Sequence, residues 1–331
     1  MSLVIVAHAS NTSAFPWPSQ MWRSGAVGVD VFFVLSGFLI TTLLVRERDR
    51  TGTVSLVGFY ARRCRRILPA LGAFLLFVAT LQCAGLADVT PAEWVASLVF
   101  GMNFMPHPAW ELGHLWSLAI EEHFYIVWPL LFAYLRGRLA SRLLVATLLI
   151  GPVLRWVVLL WYPGWAPLTD LWTPTRLDHI ASGCLAALAA RSSIGLRVLD
   201  IAARWWPAAL LIAIGAVAGA ARSAKVAVGV TPTVTALTIT VLVWAAARRS
   251  PRWLEWSPIV WIGGLSYSLY LWQQPFLAPA ATGWWRGFPA NLALMAGAAI
   301  ACHYFIERSA LRIGRRSTPR VIPSPDTSGE E

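Results

Sequence analysis

Ten runs of apolar residues, most about as long as a bilayer is thick, dominate this 331-residue chain. A membrane helix needs about 17–25 predominantly apolar residues. The runs fall at about 1–10, 27–45, 68–87, 115–135, 142–161, 173–190, 205–221, 230–247, 259–279 and 289–306. The first, MSLVIVAHAS, lacks a basic leader region and reads as the second half of a membrane helix. The expected fold is therefore all-α: a polytopic membrane helix bundle of about ten transmembrane helices, the first truncated. Charged residues make up only 13% of the chain, against about 25% in a soluble domain. The 19 tryptophans suit two interfacial aromatic belts.

Positive charge orients the bundle. Basic clusters at Arg46/Arg48/Arg50 with Arg62–Arg66, at Arg136/Arg138/Arg142, Arg191/Arg197/Arg204, Arg248/Arg249/Arg252 and Arg312–Arg320 fall on one side if the short apolar stretch 92–105 does not cross. By the positive-inside rule that side is the cytoplasm. Both termini would then be cytoplasmic in the plasma membrane of a bacterium. Of the clusters, only Arg222/Lys225 departs from this pattern. The bundle domain is expected to span residues 1–316, followed by a Pro-rich polar tail, 317–331, expected to be disordered and cytoplasmic. No internal repeat of the kind found in many transporters is evident.

The net charge of +11 follows from these loops and does not indicate nucleic acid, because membrane-length apolar runs separate the arginines. Cys64, Cys83, Cys184 and Cys302 show no metal or redox spacing and are expected to be buried, unpaired thiols. No metal site is expected.

Polar residues inside the apolar runs carry the functional information, since charge in a membrane segment is expensive and is retained for a purpose. His8 lies near the outer end of the first run, and Asp30 opens GVDVFFVLSGFLITTL, with Gly37 seven residues on and Ser36 beside it permitting close helix packing. His8 is the obvious partner for Asp30. In FYARRCRRILPA, Arg62, Arg63 and Arg66 are spaced to share a helical face, suited either to lipid headgroups or to a phosphate-bearing ligand. In HLWSLAIEEHFYIVWP, Glu121 shares a face with His114, while Glu122 points elsewhere. Ser266, Tyr270 and Gln273 form a polar stripe in IGGLSYSLYLWQQPF, with Tyr267 beside it; Arg176 and Asp178 in TPTRLDHIASG suggest an internal ion pair. Together these predict a polar cavity in the bundle with a basic patch beneath it.

Such a cavity suits an enzyme or a transporter better than an anchor. The blocks GVDVFFVLSGFLIT, RRCRRILPA, HLWSLAIEEHFYIVWP, RLDHIASGCLAA, LSYSLYLWQQP and YFIERSALRIGRR, in that order, resemble the membrane-bound acyltransferase-3 family of bacterial O-acyltransferases. The resemblance implies acyl-CoA, in particular acetyl-CoA, as donor. It implies a hydroxyl of a carbohydrate or glycosylated molecule as acceptor, with membrane lipids as surroundings. It makes His8 the general base, Asp30 and Glu122 (with Glu121 beside it) the acidic positions, and Arg63 and Arg66 (with Arg62) the donor-handling arginines. Ser266 and Tyr267 match a later motif, and Ser36, His114, Arg176, Asp178, Tyr270 and Gln273 complete the expected cavity. The family pattern places an arginine about ten residues before the histidine, so this chain would start inside its first helix. Gln273 stands where that pattern commonly has histidine. The alternatives are a transporter or acyl-group conduit, or an inactive truncated member. The sequence sets no oligomeric state.

Overall fold

The computed structural model describes residues 1–16, 24–135, 137–279 and 283–316. Arg136 and the tail 317–331 lie outside the described residues. Among the described residues the regular structure is helical, with no strand. The principal helices are α1 (Ser2–Ala9), α2 (Ser24–Thr51), α3 (Leu56–Cys83), α4 (Pro91–Leu98), α5 (Trp110–Gly113), α6 (Leu115–Tyr134) and α7 (Gly137–Trp161). They are followed by α8 (Thr173–Ala189), α9 (Ser193–Arg204), α10 (Trp206–Ala220), α11 (Thr231–Arg249), α12 (Ser257–Phe276), α13 (Ala290–Ala301) and α14 (Arg308–Arg316).

All ten apolar runs are helical. Among the described residues, five helical stretches are by themselves long and apolar enough to cross a membrane, or six if α9 and α10, bent by 70° at their junction, form one span. α8 falls short of that test with 17 residues, and α6 and α12 do so because of the polar side chains they carry. The 92–105 stretch is divided between the eight-residue α4 and a 3-10 turn at Met102–Phe104. At 1.5 Å per residue, α4 extends only about 12 Å, too little to cross.

Two apolar cores flank α6. Leu115 and Leu118 pack with α3, α12 and α13 on one side, while Ile120, Phe124, Trp128 and Phe132 pack with α2, α7 and α8 on the other. The polar residues of α6 are thus held at a seam between two hydrophobic masses. Buried Cys184 and Cys302 match expectation, but Cys64 and Cys83 are exposed, because their helices turn those positions away from the interior.

The tightest helix contact joins α2 and α8. A Cβ added at Gly37 would lie 2.0 Å from the Ile180 carbonyl oxygen, and one at Gly183 would lie 2.1 Å from that of Val34. Both obstacles are backbone, so no side-chain rotation relieves them. Gly183→Ala should therefore destabilise the bundle by about 1–3 kcal/mol or more, read as a lower melting temperature in detergent. Gly72→Ala, with open space at its Cβ position, should not. Equal melting temperatures for the two variants would refute this packing argument.

Candidate active site

Two cavities occupy the polar seam. The first, of about 310 Å³, is lined by Ser36, Arg63, Arg66, Ser117, Glu121, Tyr125, Ser266, Tyr267 and Tyr270, among others. The Arg63 guanidinium lies 4.0 Å from the centre of the Tyr125 ring, and Tyr125 shares a hydrogen bond with Ser36. Glu121 hydrogen-bonds with Tyr125 and Ser36 and lies within electrostatic reach of Arg63 and Arg66. Tyr267 donates to the Ile67 carbonyl at 3.1 Å. Arg62 is not part of this wall: it is exposed and pairs with Glu47 at 3.3 Å, since one helical position turns it about 100° from Arg63.

The second cavity, of about 650 Å³, is lined by His8, Asp30, His114, Trp116, Asp170, Arg176, Arg222, Thr235, Tyr270 and Gln274, among others. His8 stands edge-on to Trp110, with ring centres 5.5 Å apart. Its Nδ1–H donates to Gln273 Oε1 at 3.1 Å; the amide oxygen can only accept, so the lone pair sits on Nε2. His114 is differently placed. Its backbone N–H and ring Nδ1 both face Gln274 Oε1 at 3.0 Å, and its Nε2 faces the Leu271 carbonyl at 3.0 Å. Both ring nitrogens face oxygen acceptors, of which a neutral imidazole donates to one, and with the backbone N–H bond this makes His114 a tie between α6 and α12.

The expected pairing of Asp30 with His8 is not what the structure shows. Asp30 bonds Arg176 at 2.5 Å, accepts from the Thr235 hydroxyl at 3.2 Å and lies 3.4 Å from His179 Nε2. His179 bonds Asp178 at 2.8 Å, and Asp178 in turn pairs with Arg155 at 2.7 Å. The Arg176–Asp178 pair read from the sequence is therefore replaced by Arg176–Asp30 and Arg155–Asp178. Two positions apart on α8, Arg176 and Asp178 point about 200° from each other, so each charge takes the partner presented by α2 or α7. Arg155 is fully buried and was missed by sequence reasoning. Its signal was an arginine deep within the 142–161 apolar run, away from the basic cluster at its start.

The glutamates also divide differently from expectation. Glu121 lines the first cavity. Glu122, preferred from the family pattern, lies buried between the helices, with Oε1 lacking a hydrogen-bond partner. Gln273 is fully buried behind His8, and Asp178 lies in the ionic network away from both cavities. Gln274 and Asp170 line the second cavity and were not singled out from the sequence.

Tyr270 and Val29 line both cavities, so they form the partition between them. The Tyr270 hydroxyl donates to the His114 carbonyl at 2.8 Å and accepts from Ser117 at 2.5 Å. The connection from α3 to α6 is pinned by Glu93. It bonds the Thr90 backbone and side chain, both at 2.7 Å, and accepts from the Ala109 N–H at 2.5 Å. Burial pushes the Glu93 carboxyl up, but these bonds outweigh it and hold the group below its ordinary value. Among the described residues, no group of three or more His, Cys, Asp or Glu side chains is placed to hold a metal.

An acyltransferase-domain family model, that of the acyltransferase-3 family, matches residues 1–308. Among curated proteins, the chain is 29% identical over 286 residues to the O-acetyltransferase OatA of Staphylococcus aureus, covering 78% of this chain and 47% of that protein. It is 27% identical over 328 residues to the peptidoglycan O-acetyltransferase OatA of Listeria monocytogenes, with 83% and 48% covered. It is 28% identical over 343 residues to the putative peptidoglycan O-acetyltransferase YrhL of Bacillus subtilis, with 91% and 53% covered. The chain thus spans about half the length of these relatives. No solved structure gave a significant match.

Proposed function

This chain belongs to the acyltransferase-3 family, and from that premise we propose that it is a membrane O-acyltransferase using cytoplasmic acyl-CoA, acetyl-CoA in the first instance. The acceptor is a hydroxyl of a carbohydrate, of the peptidoglycan type named for two of its relatives. The observation that carries this reading is the pair of cavities, one with two arginines and one with a histidine, sharing the Tyr270 wall.

In this reading Arg63 and Arg66 bind donor phosphates through charge-assisted hydrogen bonds, and the thioester points toward Tyr270. An acceptor hydroxyl in the second cavity gives its proton to His8 Nε2 as its oxygen attacks the thioester carbonyl. The new C–O bond forms, the C–S bond breaks, and the departing thiolate takes up the proton held by His8. Arg62 early in α3, Arg191 just after α8 and Arg248 near the end of α11 all lie at ends that the positive-inside rule assigns to the cytoplasm, and that assignment supports entry of the donor from that side and cytoplasmic termini.

Hydrogen bonds to charged groups contribute about 1.5–3 kcal/mol each. Joint replacement Arg63→Ala with Arg66→Ala should therefore weaken acetyl-CoA binding at least about tenfold. Exposed Arg191→Ala, whose partner is Asp49, serves as the charge control. Unchanged binding in the double variant would reduce the arginines to lipid contacts. The back-to-back cavities also suit a conduit that passes an acyl group onward. Reconstituted vesicles distinguish the two readings: a conduit moves the acyl group without producing an acylated saccharide.

A further inference from the structure

One cation of the second cavity plays no part in the reaction described above. Arg222 lines that cavity, with Ala220, Ala221, Ser223 and Ala224 beside it along the chain. This connection joins α10 to α11, at the opposite end of those helices from Arg204 and Arg248. The positive-inside rule assigns that end to the outside, where a basic residue works against the topology. Orientation of the bundle therefore does not explain why an arginine stands there.

The connection holds Arg222 in a defined place. The Arg222 and Ser223 N–H groups both donate to the Gly219 carbonyl, at 2.9 and 3.2 Å. The Thr231 hydroxyl, at the start of α11, reaches back to the Ala216 carbonyl of α10 at 3.1 Å. Alanine and serine flank Arg222, so its guanidinium is the only long side chain that this stretch of wall offers.

Its charge is also unmatched. Arg286, on another connection assigned to the outside, is largely buried and lies 3.4 Å from Glu111. Arg176, in the second cavity itself, bonds Asp30 at 2.5 Å and stands 3.7 Å from Asp170. Both carboxylates that line the cavity thus converge on Arg176. Arg222 is exposed and, among the described residues, forms no ion pair. A guanidinium left with free N–H donors binds a carboxylate or a phosphate through paired, charge-assisted hydrogen bonds.

We propose that the acceptor is an anionic saccharide and that Arg222 selects it. The guanidinium holds a carboxylate or phosphate of the sugar while a hydroxyl of the same molecule faces His8, which lines the same cavity. Asp170, with its side chain 59% exposed, repels an anion from the Arg176 side and leaves Arg222 as the place for it. This rests on reading the second cavity as the acceptor site. It adds a charge requirement that acyl transfer to a hydroxyl does not by itself impose.

The test measures binding by calorimetry to the full chain in nanodiscs of zwitterionic lipid. The probes are one peptidoglycan-type disaccharide with its carboxylate free and the same disaccharide as its methyl ester. The free acid should bind about fivefold more tightly, the upper range for an exposed ion pair, and added salt should weaken the preference. The acid-to-ester affinity ratio should fall to about one in Arg222→Ala and below one in Arg222→Glu. Lys225→Ala removes an equal charge from the same connection but not from the cavity wall, and it should leave the ratio unchanged. Unshifted melting temperatures of the Arg222 variants report folded protein. A ratio of one in the unaltered chain, or an equal loss from Lys225→Ala and Arg222→Ala, would overturn the assignment. A ratio of one combined with a melting temperature that Arg222→Ala lowers only in anionic-lipid nanodiscs would make Arg222 a headgroup contact. Equal binding of acid and ester refutes anion selection alone, whereas binding of neither removes the acceptor reading with it. A charge preference in a chain that transfers no acyl group supports the Arg222 site and counts against the proposed reaction.

Discussion

His8→Ala should lower acyl transfer by about 10²–10⁴-fold, the usual contribution of a general base, while folded protein and acetyl-CoA binding are retained. The expectation rests on tautomer geometry. His8 and His114 both line the second cavity, but the ring nitrogens of His114 both face oxygen acceptors. His8 bonds Gln273 through Nδ1 alone and keeps a lone pair on Nε2. In the proposed mechanism Gln273 orients the base, in place of the Asp30 partner expected from the sequence. Gln273→Leu should lower the rate by less than His8→Ala, because the imidazole remains but its tautomer and ring angle are released. Rates are read as acyl groups transferred to a saccharide at saturating donor. Undiminished transfer in well-folded His8→Ala would eliminate the base assignment.

Arg155→Met should destabilise the bundle by about 3–5 kcal/mol, the loss typical when one partner of a buried ion pair is removed. Arg155 and Asp178 are both fully buried and 2.7 Å apart, and Arg155 also donates to Thr233 at 2.7 Å and to the Thr175 carbonyl. Removing the guanidinium leaves the Asp178 carboxylate, buried among α7, α8 and α11, with only His179 as its partner. Arg191 and Asp49 are as close, at 2.6 Å, but about half exposed. Water screens that pair, so Arg191→Met should change stability little. Thermal unfolding of both variants in detergent decides the matter, and equal shifts would show that burial of the Arg155 network carries no special weight. The same network reaches Asp30 through His179 and Arg176, so Arg155→Met should also lower transfer in whatever protein remains folded.

Much of the architecture was legible because membrane-length apolar runs admit few alternatives. All ten appear as helices, and the 92–105 stretch proves too fragmented to cross. The cavity residues were legible by chemical type, since an ionisable side chain in such a run is conspicuous. Their pairing was not. The 27–45 and 173–190 runs carry Asp30, Arg176, Asp178 and His179, but sequence spacing does not say which face of α8 meets α2 and which meets α7. The preference for Glu122 over Glu121 failed to anticipate the cavity wall for a related reason. Adjacent helical positions diverge by about 100°, so which acid reaches a cavity depends on how α6 is rotated against its neighbours.

The sequence by itself determined a helical membrane protein, its apolar spans, and which polar residues had to find partners inside it. Those follow from transfer free energies, which each segment carries wherever it packs. Only the tertiary structure decided that the expected single cavity is two, that Tyr270 divides them, that Gln273 holds His8, and that Arg155 anchors the network behind Asp30. Those depend on helix rotation and closest approach, set by contacts such as Gly37 and Gly183 against facing backbone. Such contacts join residues far apart in the chain, and no local pattern encodes them.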